Sequence, residues 1–231
     1  MPEHENHHHH LEEYMRIAIL QANLGGFDTP QDPVEQDTEH EITFHRWTDE
    51  NFPPITGLTG RMQYRIPKTH GWEMFPGYDV YMWLDGSVSL KRPDCIEWYL
   101  AHLGKNDMAL FKHPVRRYVR QEVDHIEEHL NLGKPYITAR YKGGLHKEQY
   151  EKMLADPTYK DRTLYASTAF MYRNNKRVQR ALKDWWYEGT RYFTCDQVVL
   201  PYIIHKHKLR VSRIDENQYK IGYLSLVSHH R

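Results

Sequence analysis

Only two cysteines, Cys95 and Cys195, occur in 231 residues, so no disulfide framework holds this chain together and a reducing compartment is its simplest setting. Neither cysteine has neighbours that would mark it as a nucleophile. Long apolar runs are missing too. Near the N-terminus the longest is Ile17-Ala18-Ile19-Leu20, far too short for a signal-peptide core or a membrane span, which leads us to expect a soluble, cytoplasmic protein without a transmembrane segment. Although there are 17 histidines, His205-Lys206-His207 and His229-His230 lack the spaced cysteine or carboxylate partners of a zinc signature. They stay in view only as late metal-ligand candidates. No internal repeat is visible, which excludes solenoids and propellers.

Net charge is absent overall, with 31 Lys/Arg against 31 Asp/Glu, but it is unevenly spread. Residues 1–50 hold 12 acidic residues against Arg16 and Arg46, leaving 29 basic against 19 acidic in the remainder. A body basic by ten charges suits an anionic ligand such as a sugar nucleotide and keeps nucleic acid open as a partner. An acidic flank balancing a solvated basic surface would look the same. Mean hydropathy is low at −0.83, yet 17 Tyr, 7 Phe and 6 Trp supply enough bulky apolar surface for a core. The length fits one domain, residues 15–231, behind a disordered His-rich leader at residues 1–14 that is natural or partly introduced.

Strand and helix patterns alternate along the chain. Strands are expected at 16–24, 41–47, 78–84, 108–111, 164–172 and 209–214, and helices at 94–103, 115–131, 147–154, 174–188 and 196–206. The span 57–76 reads as a short helix and a loop, because Gly and Pro interrupt it. Gly133 and Pro135 are expected to end the 115–131 helix. The alternation predicts an α/β sandwich with a mostly parallel sheet.

The most informative stretch is Tyr78 to Val88, where an aromatic-rich strand runs into Asp85-Gly86. A carboxylate at a strand's carboxyl end projects into the crevice where α/β sheets bind nucleotides, and Gly86 permits close backbone approach. Asp85 is thus the leading ligand for a donor or a metal, although a turn-forming Asp would satisfy the same pattern.

Four blocks in order resemble a known family, the glycosyltransferase-like domain of plant mucilage and turgor-regulation proteins, long catalogued as a domain of unknown function. An opening strand leads into Gly25-Gly26-Phe27-Asp28. Arg61, Arg65 and Lys68 precede Phe75-Pro76-Gly77-Tyr78 and Trp83-Leu84-Asp85-Gly86. His113-Pro114-Val115-Arg116 leads to Tyr118 and Glu122, and Thr194-Cys195-Asp196-Gln197 precedes Pro201-Tyr202. The likeness spans roughly residues 16–215. It implies a GT-A-like fold with a mixed, mostly parallel central sheet, and transfer of a sugar from a nucleotide-diphosphate donor to a saccharide or glycoconjugate acceptor. A nucleic-acid acceptor, a metal-dependent amide or lipid hydrolase and an inactive sugar-nucleotide-binding protein are the rival readings.

The resemblance gives the residues tasks. A diphosphate gains negative charge as its sugar bond breaks, so Mg or Mn held by Asp85, together with Arg61, Arg65 and Lys68, would stabilise its departure. His113 and Arg116, following a strand end, are further phosphate-binding candidates. Asp196 and Gln197 are the catalytic candidates beside the sugar, with helix N-capping as the plain alternative for Asp196. Asp85-Gly86-Ser87 departs from the usual Asp-X-Asp, with a hydroxyl where a second carboxylate would stand. Trp185-Trp186-Tyr187 reads as core packing rather than an acceptor platform.

Overall fold

A computed structural model describes residues 13–55 and 57–226. Most of the expected leader and the His229-His230 pair lie outside those residues. In chain order the elements are β1 (Arg16–Asn23), β2 (Glu41–Thr48), α1 (Gly60–Met74), β3 (Val80–Leu84), β4 (Val88–Leu90), α2 (Cys95–Leu103), β5 (Met108–Lys112) and α3 (Val119–Asn131). They continue with α4 (Pro135–Tyr141), α5 (His146–Leu154), β6 (Tyr165–Arg173), α6 (Lys176–Tyr192), α7 (Asp196–Lys206), β7 (Val211–Ile214) and β8 (Leu224–Leu226).

The main sheet has the order β2-β1-β3-β6-β5-β7. Pairings β1–β2, β1–β3 and β5–β7 are parallel, whereas β6 runs against both of its neighbours. The expected α/β architecture with a mixed, mostly parallel sheet is therefore observed. In β1 and β3 successive side chains alternate between its two faces. On one face Ala18, Leu20, Tyr81 and Trp83 pack with Val178, Leu182 and Trp185 of α6. On the other, Ile17, Ile19, Val80, Met82 and Leu84 pack with Ile96, Tyr99 and Leu103 of α2. Coverage of both faces explains why β1 and β3 read as nearly unbroken apolar runs.

Three departures from the sequence expectation shape the site. First, α1 is a full 15-residue helix in spite of Pro67 and Gly71. Thr59 caps it by accepting from the Met62 N–H at 3.2 Å. Gly71 is where the helix presses on the sheet: a Cβ there would stand 2.5 Å from Leu20 Cδ1. Packing on β1 thus overrides two helix breakers. Second, α3 starts at Val119 rather than 115, because His113 Nδ1 accepts from the backbone N–H groups of Val115 and Arg116 and turns the chain first. Asp161 then accepts from the N–H groups of Val119 and Arg120, satisfying the helix start. Third, Gly133, at φ 65°, ends that layer of helix, but Pro135 opens α4 at its first turn instead of remaining in a loop. The short antiparallel pair β4–β8 was also not expected from the sequence pattern; it brings the 215–226 segment next to the loop after Asp85.

Trp185 is buried in the core as expected, whereas Tyr187 is exposed.

Candidate functional site

A cleft of about 1140 Å³ opens at the carboxyl ends of β1 and β3. Its walls come from the β1 turn, α1, the Asp85-Gly86-Ser87 turn, α4, the start of β6 and the start of α7. The backbone explains the meeting point: the Asp85 N–H donates to the Thr168 carbonyl at 2.8 Å, joining the exit of β3 to the entry of β6. Gly86 is required there by close packing. A Cβ would lie 2.5 Å from Asp28 Oδ2 and 2.9 Å from the Ala22 carbonyl.

Helix α1 supplies one wall. Arg61, Tyr64, Arg65 and Lys68 are spaced i, i+3, i+4, i+7, so one helical stripe carries all four into the cleft. Lys68, only 3% exposed, is the centre of the arrangement. Its Nζ lies 2.8 Å from Asp196 Oδ2, 3.0 Å from Asp85 Oδ1 and 3.3 Å from Ser167 Oγ. Burial would push Lys68 down, but the carboxylates of Asp196 and Asp85 outweigh it and hold the ammonium above its ordinary range.

The two carboxylates are treated differently. Asp85 Oδ1 accepts from Lys68, from the Tyr64 hydroxyl at 2.9 Å and from Trp83 Nε1 at 2.8 Å. That oxygen is full, and no described hydrogen bond reaches Oδ2. Burial raises Asp85 in spite of Lys68. For Asp196, burial also acts upward, but Lys68, Arg65 and Arg61 prevail and keep the carboxyl below its usual range. Tyr64 further accepts from the Gly86 N–H at 3.0 Å, so one phenol fixes both the Asp85 carboxylate and the turn behind it.

Asp196 does not act as the N-cap of α7. Cys195 occupies that position, and the Asp196 carboxylate turns to Lys68 and to Ser167 Oγ, which donates at 3.3 Å. Cys195 itself is inert, its thiol pushed up to about 11 mainly by burial.

Two polar atoms on the cleft walls have no partner. Arg65 is 8% exposed, and its Nη1 is buried without a hydrogen bond among the described residues. Gln197 Oε1 is likewise buried and unpaired. One is a charged donor and the other an acceptor, and both line the cleft that holds Lys68 and Asp196. Leaving such groups unpaired is unfavourable by about 1–3 kcal/mol each, more where charge is involved.

Of the residues singled out from the sequence, the structure gathers Arg61, Arg65, Lys68, Asp85, Asp196 and Gln197 in one cleft. His113 and Arg116 are not among its lining. Arg116 Nε donates to Glu122 Oε2 at 2.6 Å, and His113 Nε2 lies 3.7 Å from the same oxygen while Nδ1 serves the turn. His205 and His207 are also engaged elsewhere, on Thr158 and Asp184. Residues that sequence reading did not single out are Tyr64, Ser167 and the α4 pair Arg140 and Tyr141, while Trp83 was noted only as part of the Asp85 block. Tyr64 was findable, since it falls on the Arg61–Lys68 helical stripe once α1 is taken as continuous.

The donor set does not fit a resident divalent cation. No group of three or more His, Cys, Asp or Glu side chains that could hold a metal occurs among the described residues. One Asp85 oxygen is saturated, and an ammonium already stands between Asp85 and Asp196.

No protein-family model and no curated protein matches the chain. Among solved structures it is similar to a glycosyltransferase involved in the glycosylation of the major capsid of PBCV-1, at 10% identity and a TM-score of 0.44, over 87% of this chain and 81% of that one.

Proposed function

We propose that this protein is a glycosyltransferase that takes its sugar from a nucleotide-diphosphate donor, with a saccharide or glycoconjugate as acceptor. The observation that carries the proposal is the buried Nη1 of Arg65, which has no hydrogen bond, on a residue that lines a cleft at the carboxyl edge of the sheet. A buried guanidinium N–H without an acceptor favours an incoming one, and that edge is where α/β sheets receive nucleotides. The four sequence blocks narrow the ligand to a sugar nucleotide, and three of them converge on this cleft.

In this proposal Arg65, Arg61 and Lys68 face the diphosphate. As the sugar–phosphate bond breaks, charge grows on the leaving oxygen, and prepositioned cations stabilise it without reorganising. Asp85 Oδ2, able only to accept, suits a hydroxyl of the donor. Asp196, held ionised by its cationic neighbours, and Gln197, with an open amide oxygen, suit hydroxyls of the transferred sugar or the acceptor.

The test is release of nucleoside diphosphate from a panel of nucleotide sugars, with oligosaccharides as acceptors. We expect turnover with at least one donor, lowered about 10²–10⁴-fold by Asp196→Asn, the range typical for a positioned acid–base group. Failure of every nucleotide sugar to bind in calorimetry would remove the proposal.

A further inference from the structure

We propose that Lys68 is the built-in counter-ion of this cleft and that a nucleoside diphosphate binds there without a divalent cation; this rests on the nucleotide-sugar reading above. Three observations carry it.

The first is position. The Lys68 ammonium is within 3.0 Å of carboxylate oxygens from two separate elements, Asp85 at the end of β3 and Asp196 at the start of α7. It thus stands where an ion shared by those carboxylates would have to stand. Ser167 Oγ supplies a further oxygen at 3.3 Å, so the ammonium finds an oxygen neighbour for each of its three protons.

The second is the state of the carboxylate. Two neutral donors, Tyr64 and Trp83, hold Asp85 Oδ1 in addition to Lys68. Asp85, with three hydrogen bonds already on Oδ1, has only Oδ2 left for a further ligand. Two of its donors, the phenol and the indole, sit in a buried environment where giving up a hydrogen bond is unfavourable.

The third is charge. The cleft lining carries Arg61, Arg65, Lys68 and Arg140 against Asp28, Asp85 and Asp196. Cations outnumber carboxylates before any ligand arrives. A site meant to concentrate a dication needs the opposite balance, whereas a cleft of this sign attracts a diphosphate directly. Lys68 is protonated throughout the physiological range, so it supplies a permanent charge that neither chelators nor metal supply can alter.

The experiment is calorimetric titration of the whole chain with UDP, GDP and ADP, in EDTA and again in MnCl₂, following tryptophan fluorescence in parallel because Trp83 and Trp185 lie beside Lys68. The expected result is binding of at least one nucleotide with dissociation constants within about twofold in the two buffers, since no coupling to metal exists. Lys68→Arg, which keeps the charge, is expected to bind within about tenfold of wild type in EDTA, and Lys68→Met to lose binding by at least 100-fold. Affinity that improves tenfold or more with Mn would overturn the inference and leave the nucleotide reading standing. Unchanged EDTA binding by a folded Lys68→Met would also overturn it. Binding in neither buffer would overturn the nucleotide reading and this inference with it.

Discussion

Two buried polar clusters follow strand ends in this protein, and they differ in what they leave over. The cluster around Lys68 joins two carboxylates, yet no described hydrogen bond reaches Asp85 Oδ2, and Arg65 Nη1 and Gln197 Oε1 stay unpaired on residues that line a cleft. The cluster of His113, Arg116 and Glu122 also sets basic side chains against a carboxylate, but each group is spent on another and it contributes no buried orphan atom among the described residues. Residue type and strand-end position are therefore poor guides to a ligand site. Unused hydrogen-bonding capacity facing a cavity is the better one, because a closed cluster has reached its energy minimum without a partner.

The sharpest way to break the comparison is to empty the open cluster. Lys68→Met strands two partly buried carboxylates, and we expect a loss of about 2–4 kcal/mol of folding stability in urea denaturation. A loss below about 1 kcal/mol would mean that the carboxylates relax into solvent and that the cluster is less fixed than its distances suggest.

A second test uses pH and a group belonging to neither cluster. His146 is fully buried, its Nε2 accepting from the Cys195 N–H at 3.0 Å just before Asp196, and burial lowers its pKa from 6.5 to about 4. As pH falls below 6.5 the unfolded chain takes up the proton and the folded chain does not. Stability is thus full above that range and declines toward pH 4, by about 3 kcal/mol. Unfolding free energies of wild type and His146→Gln between pH 7 and 4 should show the variant's profile flatter by one proton.

Smaller effects separate the clusters directly. Arg116→Met should lower stability by about 2–3 kcal/mol, because buried Glu122 keeps only the more distant His113 at 3.7 Å. Arg65→Met should cost little or raise the melting temperature in the absence of ligand, since it removes a buried N–H that has no acceptor and gives up only the attraction of Arg65 for Asp196. Opposite signs from two arginine substitutions, read by thermal denaturation, would sharpen the distinction between a closed and an open cluster.

Much of this was legible in the sequence. The apolar runs of β1 and β3 and the run into Asp85-Gly86 located the cleft edge, and the order of the blocks linked Arg61, Arg65, Lys68, Asp85, Asp196 and Gln197. The antiparallel course of β6 was not legible, because a strand of nine residues buried on both faces carries no mark of direction. Continuous α1 was hidden by Pro67 and Gly71; at Gly71 the helix approaches Leu20 and Trp47 closely, an arrangement that only the fold provides. The closed nature of the His113 cluster was equally hidden, since Glu122 reaches Arg116 across a turn whose shape depends on His113 Nδ1.

The most direct measurement compares Arg65→Met with Arg116→Met in calorimetric titrations with nucleoside diphosphates. The expected result is loss of binding by at least tenfold in Arg65→Met, with Arg116→Met binding as wild type does. Wild-type affinity in Arg65→Met, or loss of binding confined to Arg116→Met, would contradict the assignment of the open cluster as the nucleotide site.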